Sequence, residues 1–427
     1  VEEPDDTGRS FFFRVNGQPF FARGANIVPP HSLLPWSPEL WTQRVRDAVE
    51  SRFNMLRVWG GGIYPPDEFF SACDHLGILV WQDFAFACSM VPWDDEFVEN
   101  VRIEAIQQVV RLRKHASLAL WCGNNEIDEG WHNWGWQNQL NDPEQVRRVW
   151  EGYRRLFHHV LAEVVREGDP DRSYKPSSPL YGWGRSESLK QGDAHYWGVW
   201  WGREPFEVYR RKVPRFMSEF GFQSYPVMAT VLDFGDRHTM PEESLLACHQ
   251  KHATGFEIIH EAMDREHFSP RSLREEIYFS QVVQAIAYET AVIAQRLSMP
   301  HCMGSLFWQF NDCWPSISWS GIDHFGRWKA VQFQVKRSFA PLLVTGELKK
   351  GHIAVRAVSD HPVRNGTLIV RLISLSGQEL HRWGKSVRLG PGSPRTLFEK
   401  ELPGDTADPE DLLAEVILRD GGLEVIG

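Results

Sequence analysis

From about residue 20 to residue 340, short and nearly continuous apolar runs alternate with amphipathic stretches. This repeat constrains the fold more than any other feature of the chain. The apolar runs are Phe20–Val28, Asn54–Trp59, Gly77–Trp81, Ser117–Cys122, Ser173–Ser178, Asp193–Trp197, Arg215–Ser218 and Met303–Trp308. Runs of this length with little alternation read as parallel strands covered on both faces. Helices are predicted between them: one opening at Ser37-Pro38, then spans 66–76, 143–166, 277–297 and 328–339. The clearest helix can be capped by Asp94 or Asp95 and carries Phe97, Val101, Ala105, Val109 and Leu112 at helical spacing. Its last turn holds Arg111, Arg113, Lys114 and His115, which suits the negative end of a helix dipole. Strand–helix units repeated in this way predict an α/β fold, a closed (β/α)8 TIM barrel over residues 11–345, about 335 residues including insertions. An open doubly wound sheet would want a glycine-rich turn after its first strand, where this chain has Asn26-Ile27-Val28-Pro29-Pro30.

Past Pro341 the period changes to two. His352–Val358 and Thr367–Leu372 alternate, and Asn365-Gly366, Ser376-Gly377 and Gly390-Pro391-Gly392 give turn signals between strands. Residues 346–427 are therefore expected to form an immunoglobulin-like β-sandwich, a partial one because it stops just after a strand-like stretch. Residues 1–10 read as a leading segment, the remnant of a preceding linker or domain.

Composition narrows the function classes. The net charge of −10 and pI near 6.0 argue against a nucleic-acid partner, which wants a basic surface. No run approaches the roughly 20 apolar residues of a membrane span, so no membrane partner is expected. The six cysteines contain no C-x-x-C pair and mostly sit in apolar runs, which reads as free core thiols. Cys248, His249 and His252 lack a second pair of ligands and read as a polar loop. Neither a metal nor a cofactor is expected. The 19 Trp suggest either a very aromatic core or a surface that stacks on sugar faces.

In a barrel of this kind the site lies at the C-terminal ends of the strands. There the sequence supplies Arg57-Val58-Trp59-Gly60-Gly61-Gly62, Trp81-Gln82-Asp83, Gly123-Asn124-Asn125-Glu126, His195-Tyr196-Trp197, Ser218-Glu219-Phe220-Gly221 and Trp308-Gln309-Phe310-Asn311-Asp312. Glu126 and Glu219 each directly follow a buried strand, the fourth and the seventh, and can face each other across the barrel mouth. Two facing carboxylates are what glycosidic cleavage requires: one protonates the leaving oxygen, and the other meets the oxocarbenium-like carbon. Their surroundings must then differ. Arg57 can hold Glu219 ionised, and the Asn and aromatic neighbours of Glu126 suit a raised pKa. Trp59, Trp134, Trp197 and Trp308 lie at or beyond strand ends, whereas Trp81 and Trp121 lie within strands and read as core. The run Trp131–Trp136 reads as a loop over the site. Asp83 and His195 are expected to contact substrate or support the residues that do.

Asn54–Tyr64, Asp67–Phe70, Val80–Phe84, Gly123–Glu126, Ser218–Ser224 and Phe307–Asp312 together resemble glycoside hydrolase family 2 β-mannosidases, across residues 11–345. The resemblance implies Glu126 as general acid/base and Glu219 as nucleophile, with net retention. It further implies Asn125 near the sugar 2-hydroxyl, Trp59 and Trp134 shaping the −1 subsite and Trp308 as its floor. Arg57, His195, Trp197 and Asp312 are expected as further substrate contacts. β-Galactosidases of that family carry a His where this chain has Trp59-Gly60, which favours mannose. The expected activity is release of terminal β-mannose from an oligosaccharide or glycoside. Endo-action on a Man-β-GlcNAc core, exo-β-glucosaminidase action and a non-catalytic carbohydrate-binding fragment stay open. Family members carry a sugar-binding jelly roll and an immunoglobulin-like domain ahead of the barrel. This sequence lacks both, so those N-terminal domains are expected as a separate polypeptide partner or as a removed part.

Overall fold

The computed structural model describes residues 1–32, 37–235, 240, 242–349, 351–360, 362, 364–402, 411–420 and 423–426. Eight parallel strands form one curled sheet: Ala22–Ile27 (β1), Met55–Val58 (β2), Leu79–Asp83 (β3), Leu118–Cys122 (β4), Ser173–Lys175 (β5), Ala194–His195 (β6), Met217–Glu219 (β7) and Gly304–Phe307 (β8). Their order in the sheet is β6-β7-β8-β1-β2-β3-β4-β5. That is a ring of eight consecutive strands cut between β5 and β6, the order of a TIM barrel. Across the cut, side chains take over from backbone pairing: the Ser178 hydroxyl just beyond β5 meets Asp193 and His195 at β6.

Period-two packing sorts the strand residues into layers. Ala22, Met55, Trp81, Leu120 and Leu306 point inward and form a small core inside the barrel with Phe11 and Phe216. Phe11, from the segment before β1, closes the lower end, its ring 5.9 Å from Trp81 and 5.3 Å from Phe216. Toward the C-terminal ends the residues of the same inward rows are polar: Asn26, Arg57 and Asp83. The opposite rows, with Ala25, Leu56, Val58 and Val80, pack outward against helices Pro38–Glu50 (α1) and Asp67–Leu76 (α2) through Trp41, Val45, Phe69, Phe70 and Cys73. The expected capped helix is Asp95–Leu112 (α3), where Asp94 accepts the Phe97 amide at 2.9 Å.

Three expectations are corrected. Strand β3 extends two residues past Trp81, so Gln82 and Asp83 are strand residues and Asp83 points into the barrel. Trp131 lies in a helix, Ile127–Asn133 (α4), because its ring is buried and stacks on Trp150 at 5.6 Å; the loop begins only at Trp134. The pair Asn365-Gly366 lies inside a strand, paired with Arg388 and Val387, and so makes no turn.

The sandwich strands are Leu342–Lys349 (β9), His352–Ser359 (β10), Arg364–Ser374 (β11), Glu379–Leu389 (β12), Arg395–Glu401 (β13), Leu412–Asp420 (β14) and Leu423–Ile426 (β15). They form the antiparallel sheets β9-β10-β13 and β12-β11-β14-β15, which enclose a separate core that includes Ile353, Val355, Leu368, Val370, Leu397 and Val416. Among the described residues, no helix is long and apolar enough to cross a membrane.

Candidate active site

Arg57, on the inward row of β2, is the fully buried hub of the barrel mouth. Its guanidinium makes a fork–fork pair with Asp83 on β3, Nη2 to Oδ2 at 2.7 Å and Nε to Oδ1 at 3.3 Å. Nη1 donates to Glu219 Oε1 at 2.6 Å and to Asn26 Oδ1 at 2.8 Å, and Nη2 donates to Asn125 Oδ1 at 2.8 Å. One cation thereby ties together β1, β2, β3, β7 and the end of β4. Burial alone would push Arg57 down, but the Asp83 and Glu219 carboxylates outweigh it and hold the charge firmly. Trp81 Nε1 and the Gly60 amide complete the shell of Asp83.

Glu126 leaves β4 in the left-handed region, φ 58°, and forms the N-cap position of α4. A non-glycine residue there costs of order 1–3 kcal/mol and persists only when its surroundings enforce it. Here its amide donates to Ser178 O at 2.9 Å and its carbonyl accepts from Gly130 at 2.8 Å. The residue is 8% exposed. Its Oε1 lies 2.8 Å from His195 Nδ1, and its Oε2 is met by Asn125 Nδ2 at 3.4 Å and Cys88 Sγ at 3.5 Å. His195 Nδ1 also lies 3.5 Å from Glu219 Oε2. The three side chains each present an atom within 4.8 Å of the other two. Such a Glu–His–Glu set has the donor atoms to grip a cation, and the Arg57 guanidinium already contacts one of its members, Glu219.

The electrostatics separate the two carboxyls. Burial raises both, Glu219 to about 7, where the opposing pull of His195 and Arg57 is offset by the neighbouring Glu126 charge. Two carboxyls this close share a proton near neutral pH. Arg57 donates to Glu219 and not to Glu126, a contact that favours the ionised form of Glu219 over that of Glu126. Burial pushes His195 down to about 4, so its ring is neutral.

Arg57, Asn125 and His195 are thus joined to the two glutamates by direct contacts. Trp59 and Trp308 meet edge to face at 5.0 Å, and the Trp59 ring lies so close to Gly61 that a Cβ there would come within 2.0 Å of it. That approach explains a glycine at this point of the triglycine run. Trp197 is buried, and its side chain hydrogen-bonds Glu126. Trp134 stands at the rim, 42% exposed, against Trp136. Asp312 is 1% exposed and accepts from Ser320 Oγ at 2.7 Å, Ser318 Oγ at 2.9 Å and Gln309 Nε2 at 3.2 Å, contacts that brace the loop after β8.

Sequence reasoning missed Asn26, Ser178, Asp193 and Cys88. Asn26 was legible as a polar residue closing an apolar strand. Cys88 is exposed beside Glu126 rather than in the core; Cys73, Cys122 and Cys302 are buried thiols as expected. His249 spends its ring nitrogens on the Pro315 and Phe234 carbonyls, which leaves none for a metal.

No protein-family model matches the chain. Beta-mannosidase B of Neosartorya fischeri is 38% identical over 360 residues, which is 81% of this chain and 42% of that protein. Beta-mannosidase of Capra hircus is 33% identical over 410 residues, 89% of this chain and 46% of that protein. The crystal structure of the β-D-mannosidase from Dictyoglomus thermophilum superposes with a TM-score of 0.90 at 35% identity, over 99% of this chain and 51% of that one. The chain belongs to the β-mannosidases of glycoside hydrolase family 2. It spans about half the length of the relatives it matches. The Amycolatopsis orientalis exo-chitosanase CsxA, with a TM-score of 0.75 at 18% identity, shares the fold. Within the family fold, the mouth of the barrel is built from the strand-end motifs that carried the sequence resemblance.

Proposed function

We propose that the protein is a retaining glycosidase that releases terminal β-mannose by double displacement. The observation that carries this reading is the Glu126–Glu219 pair, with side-chain oxygens within 4.8 Å and Arg57 bonded to one partner only. That closeness suits the short separation of retaining enzymes, about 5–5.5 Å, better than the wider one of inverting enzymes. Glu126 gives its proton to the glycosidic oxygen as the bond to C1 breaks. Glu219, ionised against Arg57, forms a bond to C1 and holds the sugar as an ester. Glu126, now a carboxylate, takes a proton from water as that water attacks C1 and Glu219 leaves. Asn125 keeps Nδ2 turned toward Glu126 and the mouth, which suits a donor to the 2-hydroxyl. Trp59 and Trp308 offer the apolar wall and floor for the ring, with Trp134 and Trp197 at the rim and beside Glu126. The partner class is a glycoside, with nucleic acid and membrane outside the proposal. The parts of the relatives that lie outside the matched half are proposed as the complement of the substrate pocket.

Glu219→Ala is expected to lower 4-nitrophenyl β-mannoside hydrolysis by at least about a thousandfold, with azide restoring turnover as the inverted α-mannosyl azide. Wild-type-like turnover in this variant would discard the assignment. A 2-deoxy-2-fluoro-β-mannosyl fluoride labels Glu219 if the chain is catalytic and leaves it unmodified if it only binds sugar.

A further inference from the structure

The gap between β5 and β6 is bridged by a short chain of side chains. Asp193 Oδ2 accepts the Ser178 hydroxyl at 2.6 Å and the Ser218 hydroxyl at 2.5 Å. Ser178 Oγ also lies 3.0 Å from His195 Nε2, and His195 Nδ1 lies 2.8 Å from Glu126 Oε1. Ser178 and Asp193 are 0% and 3% exposed, and their side-chain oxygens are taken up by the bridge itself.

A hydroxyl has one proton to give. Ser178 gives its proton to Asp193, so its oxygen can only accept, and the donor facing it is His195 Nε2–H. A neutral imidazole carries one N–H, and burial keeps this ring neutral. Nδ1 is then a bare acceptor 2.8 Å from a carboxyl oxygen, and the proton between them is that of Glu126. With the other tautomer, Nδ1–H would donate to Glu126 and favour its ionised form, the reverse of what an acid needs. The bridge therefore decides the sign of the effect of His195 on Glu126.

We propose that Ser178 and Asp193 are positioning residues that lock His195 as the Nε2–H tautomer, so that Nδ1 accepts from Glu126 and holds that carboxyl in its acid form. The inference rests on the acid/base role proposed for Glu126. No proton leaves the bridge during turnover: the Glu126 proton goes to the leaving oxygen, and those of Ser178 and His195 stay in place. The backbone of Ser178 serves the same end, its carbonyl accepting the Glu126 amide at 2.9 Å.

The test uses the full-length protein, Asp193→Asn and Ser178→Ala. A carboxamide can donate to Ser178 Oγ, free its proton for Nε2 and turn the ring to Nδ1–H. The groups facing His195 are Glu126, Glu219 and Asp193, with Arg57 and Asp83 farther off. Those facing Glu126 also include Cys88 and Glu129. For methyl β-mannoside, whose leaving oxygen needs a proton, Asp193→Asn is expected to lose about tenfold or more in kcat/KM. The alkaline limb of its pH profile moves to lower pH, by about 1 on the pH scale. For 2,4-dinitrophenyl β-mannoside, which needs no acid, the change stays within about twofold. Ser178→Ala shows the same split. Imidazole 15N shifts of the wild type, assigned against His195→Gln, should show Nε2–H. An Nδ1–H signal, or equal losses on both substrates in both variants, overturns the proposal. If the wild type hydrolyses no β-mannoside the functional reading falls instead, and the 15N tautomer alone decides whether the bridge exists.

Discussion

Glu219 is held between two opposing influences, burial with a nearby carboxyl on one side and Arg57 with His195 on the other. The balance has a measurable consequence for stability. The proton shared by Glu219 and Glu126 is held up to about 7, above the ordinary 4.5, so the native state binds it more tightly than the unfolded chain does. The stabilisation is fully present below pH 4.5 and is lost as pH rises through 7. Each tenfold gain in proton affinity is worth about 1.4 kcal/mol, so the window amounts to about 3 kcal/mol. Glu219→Gln removes this titration. It also lets the neighbouring Glu126 ionise more easily, because the repelling charge has gone. Urea midpoints from pH 4.5 to 8 should therefore fall with pH in the wild type and stay flatter in the variant. Loss of the Arg57 contact shifts the whole variant curve down but does not tilt it, so parallel curves would contradict the burial of Glu219 as the cause of its raised pKa.

Among the elements, β1 and β2 show how little slack the barrel has. A Cβ on Gly24 would lie 1.8 Å from the Met55 carbonyl oxygen and 3.2 Å from Leu306 Cδ2. The carbonyl belongs to the paired strand and cannot swing aside as a side chain would. Gly24→Ala is expected to cost about 3 kcal/mol or more, read as a fall in Tm or a loss of soluble protein. Gly184→Ala, with nothing within 4 Å, should stay within about 0.5 kcal/mol of the wild type. The same crowding sets what the sequence can reveal. Strands buried on both faces announce themselves by composition, and the polar residue ending each one marks the mouth, which made Arg57, Glu126 and Glu219 readable. Trp131 is unsuited to a helix by local propensity alone; stacking on Trp150 outweighs that weak preference. Asn365-Gly366 signals a hairpin only when the chain reverses there, and pairing with β12 keeps this stretch extended. Asp193 and Ser178 carry no local pattern at all, since their meaning lies in a gap between strands that only the closed ring brings together.

At the scale of the molecule, Asp360, just past β10 of the sandwich, sits between two arginines of the barrel. Arg23 on β1 donates to Asp360 Oδ2 at 2.7 Å and to Phe339 O at 3.1 Å. Arg296, at the end of the helix Leu273–Arg296, donates to the Ser338 and Ala340 carbonyls at 2.8 and 2.6 Å, and its Nη2 lies 3.5 Å from Asp360 Oδ2. Burial pushes Arg296 down to about 10, and Asp360 pulls it back up against the repulsion of Arg23. Removing the carboxylate leaves two largely buried guanidiniums facing each other without a counter-ion. Breaking a buried pair costs about 3–5 kcal/mol; because Asp360 is 31% exposed, about 2 kcal/mol is the better expectation. Arg23 sits at the start of β1, on the barrel end opposite the mouth, so Asp360→Ala should leave kcat/KM near wild type while the joint weakens. Calorimetry is then expected to resolve a sandwich transition below that of the barrel, where the wild type unfolds with the two coupled. Asp360→Asn keeps a hydrogen-bond acceptor without the charge and separates the two contributions: if it behaves like the wild type, contact holds the joint, and if it behaves like Asp360→Ala, charge does. Unchanged transitions in both variants would mean that the remaining contacts, those around Phe339 and Ala340 and the Arg210–Glu347 pair at 3.7 Å, bind the sandwich to the barrel without Asp360.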